Sequence, residues 1–192
     1  MAKESTFKNM TLTLLTVTLL ASASLGFVYS FTKGPIDDAQ NAKINLAISQ
    51  VLPEFDNRPS DVKFTREVDG GVLTFYPATK GGEPVGMAIQ TFTKNGFSGQ
   101  IDLMVGFLSD GTIHAIEVIA HKETPGLGDK MESGKSDFSV QFQGKNPRDF
   151  KLAVKKDGGN VDAITASTIS SRAYCDAVQR AFDAFVKEGG EK

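Results

Sequence analysis

The chain has 192 residues, 21 Lys+Arg against 23 Asp+Glu, a formal net charge of −2 and 40% hydrophobic residues. That balance leaves no basic stripe and no acidic tail, so nucleic acid is excluded as a partner of the usual electrostatic kind; the length fits one modest core plus an anchor. Cys175 is the single cysteine, which excludes an internal disulfide and an iron–sulfur cluster ligated by this chain alone, and two separated histidines argue against a metal site.

No charged residue occurs from Asn9 to Thr32. At about 1.5 Å per residue, residues 10–31 span about 33 Å against a hydrocarbon core of about 30 Å, which predicts one transmembrane helix after a cytoplasmic tip at 1–9. Ala21-Ser22-Ala23 resembles a signal-peptidase site, and cleavage there is the competing reading. The apolar run continues through Leu25, Phe27, Val28, Tyr29 and Phe31, beyond an ordinary signal core, and favours an uncleaved, single-pass anchor in the lipid bilayer. Lys3 and Lys8 precede the segment, while Lys33, Asp37 and Asp38 follow it; this weak asymmetry puts the N-terminus inside and the remaining chain on the extracytoplasmic side.

Residues 32–60 read as a juxtamembrane helix and linker, with Ile36, Ala39, Ala42, Leu46, Ala47 and Val51 near helical spacing and Pro53 closing the helix. Strands are expected at 62–68, 72–77, 85–93, 101–108 and 112–120, separated by Asp69-Gly70-Gly71, Lys80-Gly81-Gly82, Asn95-Gly96 and Asp110-Gly111. Such short connections imply a largely antiparallel sheet, and helices at the ends of the order imply an α+β domain over 61–192. Residues 138–142 and 150–154 could add one or two short strands. Phe75, Phe92, Phe97, Phe107, Phe138, Phe142 and Phe150 are assigned to the core. His114 is expected to face solvent, and His121 either orders a loop by a hydrogen bond or moves a proton.

From Thr168 onward Tyr174, Ala177, Val178, Ala181, Phe182 and Phe185 recur at three- and four-residue spacing, giving a helix with one buried side that Gly189 and Gly190 stop. Thr165, Ser167 and Thr168 suit its start. Unpaired backbone N–H groups and the positive end of the dipole would favour a phosphate there by about 0.3–2 kcal/mol, with Ser170 and Ser171 as further donors. An ordinary Ser/Thr helix cap explains the same residues.

Asp162-Ala163-Ile164-Thr165-Ala166-Ser167-Thr168 resembles the flavinylation motif of FMN-binding domains, whose last Thr carries FMN through a phosphoester. Thr168 is the matching residue, and Asp162, Thr165, Ser167, Ile169, Ser170 and Ser171 surround it. The family usually has Gly and Ala where this chain has Ala166 and Ser167. His121-Lys122-Glu123-Thr124-Pro125-Gly126-Leu127-Gly128-Asp129-Lys130, together with residues 95–106, is similar to the G subunit of Rnf electron-transport complexes. The resemblance implies that Glu123, Thr124, Pro125, Gly126 and Leu127 lie against the flavin ring. It further implies maturation by a flavin transferase, and residence in the bacterial cytoplasmic membrane with other membrane and peripheral subunits. The expected role is a non-autonomous subunit relaying electrons through covalent FMN in a complex coupling ferredoxin:NAD electron transfer to sodium or proton movement. The competing readings are the C subunit of a sodium-translocating NADH:quinone reductase, and a flavin-free membrane-anchored binding module.

Overall fold

The computed structural model describes residues 6–189; the start of the expected cytoplasmic tip, with Lys3, and the second glycine of the helix stop, Gly190, lie outside the described residues. Two compact units divide the chain, one ending at Ala42 and the other beginning at Lys43.

The first unit is helical. α1 (Phe7–Val51) continues without interruption past Pro35, so the two helices expected on either side of Lys33 are one element. Proline removes only its own N–H from the ladder, here the bond to the carbonyl of Phe31, and the flanking turns carry on. The N-terminal part is long and apolar enough to cross a membrane, with mean hydropathy 1.8 in its most apolar stretch. Its threonines do not spoil that property. The hydroxyls of Thr11, Thr13, Thr16 and Thr18 donate to the carbonyls of Phe7, Asn9, Leu12 and Leu14 at 2.7–3.0 Å, and Ser30 and Thr32 do the same to Gly26 and Val28. Each of these hydroxyl hydrogens is thereby paired within the helix, as a hydrocarbon environment favours.

The second unit is a five-stranded antiparallel meander, β1 (Phe64–Val68), β2 (Gly71–Lys80), β3 (Glu83–Thr93), β4 (Ile101–Phe107) and β5 (Ile113–Ala120), in sheet order β1-β2-β3-β4-β5. The glycine turns make consecutive strands neighbours: Phe75 pairs with Ile89, Ile89 with Val105 and Val105 with Ile116. α2 (Thr168–Lys187) covers one face. Its predicted apolar positions are all buried, packed with Leu73, Phe75, Ile89, Leu103, Val105 and Phe107 from the sheet. Phe107 meets Phe182 and Phe185 at ring-centroid distances of 5.9 and 5.1 Å, and the buried Thr91 hydroxyl donates to the Ala177 carbonyl at 3.0 Å. Each large side chain removed from water here contributes about 1.5–3 kcal/mol.

The opposite face is also covered. Ala47, Ile48, Val51 and Leu52 pack on Tyr76, Ala78, Ala88 and Met104. Gly106 permits this approach: a Cβ there would stand 1.8 Å from the Val51 carbonyl oxygen. His114 belongs to the same contact rather than to solvent, its Nδ1 3.1 Å from the Val51 carbonyl oxygen, which makes Nδ1 the protonated nitrogen.

Two expected strands are absent from 138–142 and 150–154. Asp137–Phe142 is a 3-10 helix in which Phe138 and Phe142 are buried and Val140 is half exposed. In a strand all three would share a face, so the apparent alternation was misleading. Residues 150–154 bend at Phe150 and Ala153, the Ala153 N–H donating to the Lys151 carbonyl at 2.8 Å, and enter one parallel bridge, Val154 to Val161.

Replacing Gly106 by Ala should destabilise the full-length chain by about 3 kcal/mol or more, read as a lower urea midpoint, because the Val51 carbonyl is backbone and cannot rotate away. Burial pushes the Cys175 thiol up to about 12. It should therefore resist iodoacetamide at about pH 8 in the folded chain and react once urea unfolds it.

Candidate functional site

Three segments far apart in sequence converge at the N-terminus of α2. The first is the loop leaving β5. Leu127 N–H donates to the Thr124 carbonyl at 3.1 Å, closing a turn with Pro125 second and Gly126 third at φ 78°. Only a glycine adopts that backbone at no steric cost, and the proline sets the preceding φ. The second is the connection between β3 and β4, residues 94–100. The third is the turn into α2, closed by Ser167 N–H to the Ile164 carbonyl at 3.0 Å.

Ala166 in that turn has φ 61°, the one positive φ at a non-glycine residue among those described. For an L-residue with a Cβ this costs about 1–2 kcal/mol. Ser167 follows as the N-cap residue, yet its side chain makes no capping bond. Its hydroxyl instead donates to Ser170 Oγ at 2.8 Å, and Ser170 donates to Glu123 Oε2 at 2.5 Å. The expected hydroxyl cap is therefore replaced by a side-chain relay, and the first backbone N–H groups of α2 keep their donor capacity. Ser171 is fully buried and committed to the turn itself, donating to the Ser167 carbonyl at 2.9 Å and accepting from Ile164 N–H at 2.9 Å. The Thr168 hydroxyl, half-buried at the first helical position, has no hydrogen bond to any described residue.

Glu123 joins the three segments. Its carboxylate is 5% exposed and accepts from Ser98 N–H at 2.9 Å through Oε1, in addition to the Ser170 hydroxyl on Oε2. Two glycines make the space: a Cβ on Gly96 would lie 2.8 Å from Oε1, and one on Gly128 2.7 Å from Oε2. Behind Glu123, His121 Nδ1 accepts the Glu123 N–H at 3.0 Å while Nε2 lies 2.6 Å from Glu132 Oε1. The hydrogen bond from His121, followed by that from Lys135, holds the Glu132 carboxyl below its ordinary range.

A pocket of about 300 Å³ opens between these segments, lined by Phe97, Glu123, Thr124, Leu127, Gly128 and residues 166–170. Of the residues singled out in the sequence, Glu123, Thr124, Leu127, Ser167, Thr168, Ile169 and Ser170 line it together. Pro125 and Gly126 are exposed in the turn between Thr124 and Leu127 and do not line it, and Thr165 is exposed one residue before Ala166. Asp162 stands apart: its carboxylate pairs with Lys155 at 2.7 Å, and its backbone N–H donates to Gln141 Oε1 at 2.8 Å. Phe97 corrects an expectation, since it is 68% exposed at the pocket mouth rather than in the core. Its setting between Gly96 and Ser98 in a glycine-bounded loop, not on a strand, was the available signal. Exposed Phe97, Leu127 and Ile169 together give the pocket an apolar entrance.

Two outcomes follow from this geometry. Ala166→Gly should raise stability by about 1 kcal/mol in urea unfolding, because it relieves a left-handed Ala. Glu132 is depressed in the folded chain, so its contribution is present above its unfolded value of about 4.5 and disappears as pH falls through the lower folded value. Wild type should therefore lose stability more steeply below about pH 4.5 than Glu132→Gln, measured by thermal melting across pH.

Residues 96–183 match the FMN-binding domain family. Among curated proteins, the chain is 36% identical over 176 residues to the G subunit of the ion-translocating oxidoreductase complex of Shewanella loihica, covering 84% of this chain and 81% of that protein. It is 34% identical over 185 residues to the corresponding protein of Pseudomonas aeruginosa, covering 87% and 83%. The crystal structure of Shewanella oneidensis NqrC is similar with a TM-score of 0.47 and 17% identity, covering 73% of this chain and 70% of that one. With a third of its residues shared along four fifths of such relatives, this chain belongs to the family of G subunits of ion-translocating oxidoreductase complexes.

Proposed function

We propose that this chain is a membrane-anchored electron-transfer subunit carrying FMN covalently on Thr168. One observation carries the reading: the Thr168 hydroxyl, unpaired among the described residues, lies at an uncapped helix N-terminus on the wall of an apolar-mouthed pocket. The donor set suits the group. Backbone N–H groups of the first turn of α2 and its dipole favour a phosphate on Thr168, and Phe97, Leu127 and Ile169 offer apolar surface to a flat ring. The FMN-binding domain match covers this whole site.

Bound FMN supplies redox chemistry that can proceed one electron at a time. The chain's own residues hold and orient. Thr168 would hold the FMN phosphate through its hydroxyl oxygen, Glu123 fixes the loop against α2, and the turn at Pro125 and Gly126 would let backbone approach the ring closely. A covalent tether outside the cytoplasm keeps the cofactor where no flavin pool replaces it. Residues 10–31 serve as the single-pass anchor in the cytoplasmic membrane, 32–60 as the connection, and 61–192 as the FMN-binding domain on the extracytoplasmic side. A flavin transferase installs the group by recognising the segment from Asp162 to Thr168. The finished subunit works with the other membrane and peripheral subunits of an Rnf-type complex, between ferredoxin and NAD, with sodium or proton translocation as the coupled event. The names of the relatives support a place in an ion-translocating redox complex.

The test is the intact mass of the full-length chain co-expressed with a flavin transferase, as wild type and as Thr168→Val. Esterified FMN should add its mass to the wild type and leave the variant bare. A wild type without the adduct, beside a control substrate that is modified by the same transferase, would overturn the covalent reading in favour of a flavin-free module.

A further inference from the structure

His121 lies outside the pocket, yet its two ring nitrogens connect what lines it. Nδ1 accepts a hydrogen bond from Glu123 N–H, and a backbone N–H can only donate, so Nδ1 carries no hydrogen. Nε2 then carries it and donates to Glu132 Oε1 at 2.6 Å. The side chain is 12% exposed, so water is a poor substitute for either partner. Beyond Glu123 the bonds continue through Ser170 to Ser167, the residue before Thr168. Two sets of hydrogen bonds, one at the Glu123 backbone N–H and one at its carboxylate, are thus joined through the covalent skeleton of Glu123 and connect Glu132 to the first turn of α2 by way of a single imidazole.

The Glu123 N–H requires a bare Nδ1, and the Glu132 carboxylate takes the hydrogen on Nε2. Lys135 reaches the same carboxylate, lying 3.0 Å from Glu132 Oε1 and 3.1 Å from Asp129 Oδ2. Glu117 on β5 is engaged by the Ser133 hydroxyl, and Lys122 on the same loop is exposed. We infer that His121, as a neutral imidazole with its hydrogen on Nε2, is the positioning residue that orients Glu123 and through it the Thr168 turn. This inference rests on the reading of Thr168 as the attachment residue, but its geometry belongs to the chain alone. The i to i+2 bond to Glu123 N–H is the bond an Asn makes in an Asx turn, which supplies a conservative replacement.

The full-length chain labelled with ¹⁵N-histidine in detergent micelles gives a direct readout. His114 is protonated on Nδ1 and His121 on Nε2, so the two histidines should show opposite tautomers near neutral pH, with His114→Gln making the assignment. Covalent flavin attachment by a transferase should slow about tenfold in His121→Leu, the scale of losing an orienting partner, and stay within about threefold of wild type in His121→Asn. Amide exchange at Glu123 should be protected in wild type and His121→Asn and fast in His121→Leu. A cationic or Nδ1-protonated His121, or equal loss in the Asn and Leu variants, overturns the inference. A wild type that accepts no flavin would remove the attachment reading alone, because the tautomer and the Glu123 amide still decide the role of His121.

Discussion

The carboxylate of Glu123 is the constraint on which the site depends. It joins residues 98, 123 and 170, which no local structure brings together, and it does so while almost fully buried. A carboxylate in that position without partners would cost several kcal/mol. With a backbone N–H on one oxygen and a hydroxyl on the other, each charge-assisted bond returns about 1.5–3 kcal/mol. The arrangement tolerates no bulk beside it, which is why glycines occupy 96 and 128. Loss of the Ser170 hydroxyl would leave Glu123 Oε2 buried without its donor, and loss of the carboxylate would leave the Ser98 N–H and the Ser170 hydroxyl without their acceptor, so the loop after β5 and the start of α2 are placed together.

The sheet explains why these segments arrive at one end. β4 is buried along nearly its whole length, with α2 on one face and residues 47–52 on the other. Gly106 lets the backbone at Val51 touch the sheet, and the aromatic contacts of Phe107 with Phe182 and Phe185 fix α2 along it. With the helix pinned on that face, its first turn must meet the loop that continues from β5. Rigid elements on both faces thus hold a site built almost entirely from loops.

Much of this was legible in the sequence because strong local signals coincided. Glycine turns marked every hairpin of the meander, and the 3.6-residue spacing from Tyr174 to Phe185 named the buried face of α2. The segments 121–128 and 162–171 were recognisable as well, since their turn chemistry is local. What escaped was set by tertiary partners. Phe138 and Phe142 look like alternate residues of a strand but belong to a 3-10 turn around Tyr174. The acceptor of the Ser170 hydroxyl could not be read from its neighbours, for it is a glutamate 47 positions away. The juxtamembrane helix was expected as an element separate from the membrane span, yet α1 runs on through Pro35, since a helix absorbs one missing donor. His114 followed the strand alternation correctly, but no pattern in the sequence reveals that Val51 covers that face.

The meander has a temporal meaning. Each strand pairs with its neighbour in sequence, so the sheet can assemble in the order in which a ribosome delivers it, with little loop closure to wait for. α2 comes after all five strands, and Glu123 obtains its Ser170 partner only when that helix docks. A nascent chain halted between β5 and α2 therefore holds all five strands and no site. The turn at Thr168 takes its final form last, and its geometry certifies that everything upstream has already folded.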